Sequence, residues 1–178
     1  MSIDTFRTAS RSEAKEIAQL VNKACRPEPD AVAFGWTHEA DLVSGSRTSA
    51  SQVEDLISGP DSVVLVGLKN SEIVACVHIR KDGSNSHIGM LAVNPVLQGQ
   101  GVGKQMLAYA ENYAATVWGS EKFVMVVVSE RIELVSFYLR HGYRKTGVVM
   151  AYPQSLGAGT PKRADLKIEV LEKPGRSG

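Results

Sequence analysis

Cysteine is scarce. The two present in 178 residues, Cys25 and Cys76, supply neither a disulfide framework nor a metal-ligand spacing, and each sits among apolar neighbours. No metal is expected. An excess of either charge is missing too: 20 Lys and Arg stand against 19 Asp and Glu, for a net charge of +1. That balance gives no electrostatic reason to expect nucleic acid or an anionic membrane as partner. No apolar run approaches a membrane span, and the opening "MSIDTFRTASRSEAKE" has no hydrophobic signal region. A soluble, cytoplasmic protein is expected. Repeats and low-complexity tracts are absent. At 43% hydrophobic and 22% charged residues, the composition is globular, and the chain is long enough for one sizeable core.

What is present alternates between strand and helix patterns. "IDTFRTA" has the period of a strand. Ser10 and Glu13 then form a capping box before Ala14, Ile17, Ala18, Val21 and Ala24, which repeat at helical spacing. Residues 26–50 show no clean period and predict a loop with at most a short helix. "SQVEDLIS" reads as a helix stopped by Gly59 and Pro60. "SVVLVGLKN", "SEIVACVHIR" and "SHIGMLAVN" follow with short polar turns between them, as antiparallel hairpin strands do. Val102, Met106, Leu107, Ala110, Ala114 and Val117 mark the inner face of a long helix. "FVMVVV" predicts a strand covered on both faces. "RIELVSFYLRHG" predicts a helix, "YRKTGVVMAY" a strand, "PQSLGAGTPKRAD" a loop and "LKIEVLE" a closing strand. The fold class implied is α/β (α+β): a central, mostly antiparallel mixed sheet of about seven strands with helices on both faces. One domain over 1–172 and a flexible tail over 173–178 are expected.

The stretch "QGQGVGKQML" is the most distinctive. Strand, glycines 99, 101 and 103, then a helix starting near Val102 would make an anion site from free helical N–H groups and the positive end of the dipole. A tight turn needing glycine only for its dihedrals is the alternative. A P-loop is excluded, because Gln105 follows Lys104 and no suitably spaced upstream glycine exists. The dinucleotide fingerprint fits no better, since the preceding strand belongs to a hairpin series.

"LAVNPVLQGQGVGKQML" resembles the pyrophosphate-binding motif of the GCN5-related N-acetyltransferases, with Gln98, Gly101 and Gly103 filling Gln/Arg-x-x-Gly-x-Gly/Ala. "SFYLRHGYRKTG" is similar to a second segment of that family through Phe137, Tyr138, Gly142 and Tyr143. The resemblance implies acetyl-CoA as cosubstrate. It assigns the pyrophosphate to the backbone of Gly99, Gln100, Gly101, Val102, Gly103 and Lys104, and the pantetheine arm to Leu91, Ala92 and Val93. An extended arm with two amides can pair with a splayed strand edge.

The implied activity is transfer of an acetyl group to a primary amine of a small molecule or peptide by direct attack. Tyr138 matches the position of a tyrosine that protonates the departing thiolate, although it could simply pack beside Phe137. His87 stands where relatives carry a glutamate base, unless it is an exposed edge residue. Glu39, Asp41, His38 and water compete for that role. His141 ends a helix and suits its dipole. Arg131 replaces an asparagine common in the family; it could contact coenzyme A, bind an acidic substrate group, or pair with Glu130 or Glu133.

The acceptor site is expected between segments 26–50 and 152–165. Glu28, Asp30, Glu39 and Asp41 against Arg26 and Arg47 give the first segment a mildly acidic balance, which suits an amine. Phe34 and Trp36 would form a lid or a local core. A polyamine, an amino acid, an aminoglycoside and a protein N-terminus all remain open as acceptors, as does a homodimer. The rival readings are a non-catalytic acyl-CoA sensor on the same fold and an unrelated nucleotide-binding module.

Overall fold

The computed structural model describes residues 2–28, 38–153 and 157–175. Strand β1 (Thr5–Thr8) leads into the Ser10–Glu13 capping box, and Arg7 grips the Glu13 carboxylate at 2.8 and 2.7 Å. Helix α1 (Ala14–Cys25) follows, with Ile17 and Val21 fully buried on one stripe. The short strand β2 (Val43–Ser44) precedes α2 (Ala50–Ser58), which a second capping box, Ser49 with Gln52, starts. Strands β3 (Ser62–Lys69), β4 (Glu72–Asp82) and β5 (Asn85–Val93) form an antiparallel meander. Helix α3 (Val102–Val117), β6 (Lys122–Val128), α4 (Ile132–Arg140), β7 (Arg144–Ala151), β8 (Thr160–Pro161) and β9 (Lys167–Pro174) complete the order.

The main sheet has seven strands in the order β1-β3-β4-β5-β6-β9-β7, so the chain's last strand inserts between β6 and β7. Every neighbouring pair is antiparallel except β5–β6. Two cores sit on opposite faces. Val64, Val66 and Leu68 pack under α1, while Leu65, Val77 and Ile79 pack under Met106 and Leu107 of α3. That double coverage explains why β3 and β4 read as continuous apolar runs. No helix among the described residues is long and apolar enough to cross a membrane.

Four expectations change. Val117 is 57% exposed at the end of α3, past the last turn that meets the sheet. Val126 of β6 is 47% exposed, because the sheet opens beside it. Loop 153–165 contributes β8, which pairs with β2 in a two-stranded ribbon. The final strand runs to Pro174, and the Gly175 amide donates to the Glu121 carbonyl, two to three residues beyond the expected start of the tail. Asp30, Phe34, Trp36 and residues 176–178 lie outside the described residues.

His78 on β4 is mostly buried and shares a 2.8 Å hydrogen bond with the Ser62 hydroxyl, which donates to the Leu56 carbonyl. Burial, then the nearby Arg80 and Arg47 charges, lower its pKa to about 4. The unfolded chain therefore takes up a proton near the ordinary imidazole value of 6.5 that the folded chain refuses. Stability should fall as pH drops from about 6.5 to about 4, by at most about 3 kcal/mol. Urea melts across that range should show the loss, and His78→Gln should flatten it.

Candidate active site

Two constraints open the sheet. Strands β5 and β6 pair in parallel over only Asn85–His87 against Lys122–Val124. Beyond them, Ile88–Val93 and Met125–Val128 diverge, and β6 keeps its ladder only on the β9 side. Strand β5 also bulges: Cys76 pairs with Ala92 and His78 with Gly89, leaving Met90 and Leu91 opposite Val77. Met90 adopts φ +52°, a left-handed conformation rare for a side chain of that size. The bulge re-aims the backbone at the mouth of the split.

A turn at Pro95–Leu97, capped by Asn94, leads out of β5. The Gln98 amide group donates to the Val93 carbonyl at 3.1 Å and pins the loop to the strand end. Gly99 and Gly101 have φ +80° and +84°, and a Cβ at either would meet nothing within 4 Å. Their glycine requirement is therefore conformational, and the space beside them is open. The first helical bond of α3 runs from Gln105 N–H to the Gly101 carbonyl at 3.1 Å. The amides of Val102, Gly103 and Lys104 are left facing outward, at the positive end of a 16-residue helix.

A cavity of about 370 Å³ occupies this corner. Leu91, Ala92, Val93, Gln98, Gly99, Gly101, Gly103, Lys104 and Arg131 line it, nine of the eleven positions expected for the cofactor. Gln100 turns back to the Val96 carbonyl, and Val102 is buried in the core, so neither side chain reaches it. Arg140 and His141 join the wall, and so does Phe137, which also packs against the core. The His141 ring is held by the Phe137 carbonyl, 2.6 Å from Nδ1.

A second cavity of about 470 Å³ continues from the first, and Cys25, Leu91, Arg131 and Leu134 line both. Tyr138 lines the second. It is only 6% exposed, stacks edge-on with Phe137 and Tyr143, and its hydroxyl makes no hydrogen bond to another described residue. Burial raises its pKa, so the phenol keeps its proton. Tyr143, the other tyrosine of that segment, is structural: its hydroxyl donates to Glu111 at 2.7 Å.

Glu39 forms the most consequential contact here. Its Oε1 accepts from Arg26 Nε at 2.8 Å and Nη2 at 2.6 Å, while Oε2 accepts from Arg131 Nη1 at 3.1 Å. Arg26 also donates to the Tyr152 hydroxyl and the Gly45 carbonyl. Neither Glu130 nor Glu133 partners Arg131, and Glu130 instead pairs with Arg163. Of the carboxylates in that acidic segment, Glu39 is the buried one among the described residues, and it is committed to two guanidinium groups. Asp41 is exposed, and His38 accepts from the Ala40 amide. His87 pairs with Asp82 at 3.1 Å and lines neither cavity, so the structure does not bring it to Tyr138. Sequence reasoning missed the roles of Arg26 and Arg47, whose only signal was their place in an otherwise acidic segment. No group of three potential metal ligands occurs among the described residues.

The model of the acetyltransferase (GNAT) family matches residues 21–143 of the chain. An aminoalkylphosphonate N-acetyltransferase of Salmonella typhimurium is 25% identical over 152 residues, covering 82% of this chain and 88% of that protein. Among solved structures, the PaiA N-acetyltransferase of Thermoplasma acidophilum in complex with coenzyme A has a TM-score of 0.71 at 16% identity, over 98% of this chain and 99% of that one. The ribosomal-protein-S18-alanine N-acetyltransferase of Escherichia coli has a TM-score of 0.66 at 15% identity, over 98% and 95%. These two likenesses are of fold.

Two substitutions test the site. Gly101→Asp should remove acetyl-CoA binding in calorimetry while the protein stays folded, because its carboxylate would compete for the α3 amides. Wild-type affinity in the variant would refute the anion cradle. Glu39→Gln should cost about 3–5 kcal/mol in denaturant melts, since it strips the countercharge from two buried arginines. A loss well below that would mean water already screens the triad.

Proposed function

The chain belongs to the acetyltransferase (GNAT) family, and from that premise we propose that it moves an acetyl group from acetyl-CoA to the primary amine of a small molecule. The observation that carries this reading is the pair of adjoining cavities, which share Cys25, Leu91, Arg131 and Leu134 and of which the second is lined by Tyr138. One cavity has the loop amides and strand edge that suit a pyrophosphate and an extended amide arm. The other offers room for a compact acceptor. The phosphonate-bearing acceptor named for the Salmonella relative supports a small amine over a protein terminus.

In this reading the thioester supplies the acyl group, and this chain's residues position and protonate. Amides at the start of α3 hold the phosphates, with Lys104 and Arg140 adding countercharge at the rim. Backbone of Leu91, Ala92 and Val93 orients the arm. Tyr138 gives its proton to the departing sulfur; its raised pKa keeps that proton available. The amine's proton leaves through water. Glu39 is held by its two arginines, and His87 is occupied by Asp82 away from the cavities.

Thiol release with a panel of amines tests the activity, and Tyr138→Phe tests the acid. kcat should fall roughly tenfold to a hundredfold with acetyl-CoA binding nearly unchanged. Since a phenol with a raised pKa acts while protonated, kcat/KM should show no falling limb from Tyr138 below about pH 10. The rising limb should follow the amine and survive His87→Gln. Retained kcat in Tyr138→Phe would make the tyrosine a packing residue. Acetyl-CoA binding without transfer to any amine would favour a non-catalytic sensor.

A further inference from the structure

Among the described residues, the cavity that Tyr138 lines holds more positive charge than its one carboxylate answers. Its charged lining residues are Arg47 and Arg131 against Glu39, and Arg26 stands behind Glu39. All three guanidinium groups and Glu39 act electrostatically on the Cys25 thiol in the cavity wall, so the four converge on one region.

Arg26 is fully engaged by Glu39, Gly45 and Tyr152. The other two are not. The side chain of Arg131 is only 10% exposed and spends Nη1 on Glu39, yet its buried Nε has no hydrogen-bond partner among the described residues. Arg47 uses its backbone amide on Asn22, and its guanidinium forms no hydrogen bond or ion pair among the described residues. Arg131 is also the N-cap of α4, where the helix dipole adds positive potential. A buried guanidinium N–H without an acceptor is costly, and structures keep few of them. A cavity lined by one such group and by the half-buried guanidinium of Arg47 is complementary to an oxyanion and repels a second ammonium.

Resting on the acetyltransferase reading above, we infer that the acceptor carries an acidic group, a carboxylate, phosphonate or phosphate, bound by Arg131 and Arg47 while its amine points towards Tyr138. Glu39 is then a positioning residue: it holds Arg131 in place from one side and leaves the opposite N–H groups for the ligand. Polyamines are the acceptor class this cavity disfavours.

The test uses four amines with the same two-carbon spacer: 2-aminoethylphosphonate, β-alanine, ethanolamine and ethylenediamine. Each is titrated by calorimetry into the full-length protein saturated with coenzyme A, and each is assayed for thiol release with acetyl-CoA. The two acid-bearing amines should bind at least about tenfold more tightly than the other two, as a charge-assisted hydrogen bond allows. A preference for the phosphonate over β-alanine would identify a dianionic group, and the reverse a carboxylate. Arg47→Gln should shrink the gap to under about threefold, and Arg47→Lys should keep part of it; neither replaces a partnered side chain. Equal binding of all four, no binding of any, or equal weakening of all four by Arg47→Gln would overturn the inference. Selective binding without transfer would keep the anion site and sink the catalytic reading. Indiscriminate transfer to ethanolamine and ethylenediamine would do the opposite.

Discussion

Among the described residues, three residue pairs in parallel register, Asn85–His87 with Lys122–Val124, form the ladder that joins the two halves of the main sheet. Everything functional follows from how early that ladder stops. An open sheet with one split leaves unpaired backbone groups on both lips, and such groups need partners. The bulge at Met90 and Leu91, the glycine loop and the α4 N-terminus all gather at the split. The two cavities adjoin at this split, and Arg131 stands where they join.

Charge then separates the two ends. At the loop end, positive potential comes mainly from main-chain amides, which need no side chain and suit a ligand common to a whole family. At the other end it comes from guanidinium groups on three different segments, two of which, Arg26 and Arg131, are held by Glu39. A buried ion triad adds little net stability compared with an apolar cluster of equal volume. Its value lies in direction: it fixes where Arg131 points.

Much of the fold was legible because it follows from local periodicity. The Ser10–Glu13 box, the apolar runs of β3 to β5 with short polar turns between them and the stripe from Val102 to Ala114 each state their own structure. The expectation failed where a long-range neighbour decides. Val126 reads as core until the sheet opens beside it, and Val117 continues a stripe beyond the surface that stripe covers. The strand–glycine loop–helix order was legible, while the directions of the Gln100 and Val102 side chains depend on how α3 seats. Glu39 looked like a free acid. Its partner Arg131 lies 92 positions away, a distance no spacing rule spans.

The segments around the second cavity are tied by links of that kind. Ser44 meets the Thr160 carbonyl across 116 positions, Arg26 meets Tyr152 across 126, and Gln52 meets Gly157 across 105. Closing such long loops is entropically expensive, whereas the β3–β4–β5 meander closes through short turns. In the order of folding, these links are expected to come after both cores and to contribute little to the barrier. Changes there would mainly alter how fast the chain opens, not how fast it folds. The recognition surface is thus kinetically insulated from the scaffold, which leaves it free to diverge while the scaffold persists.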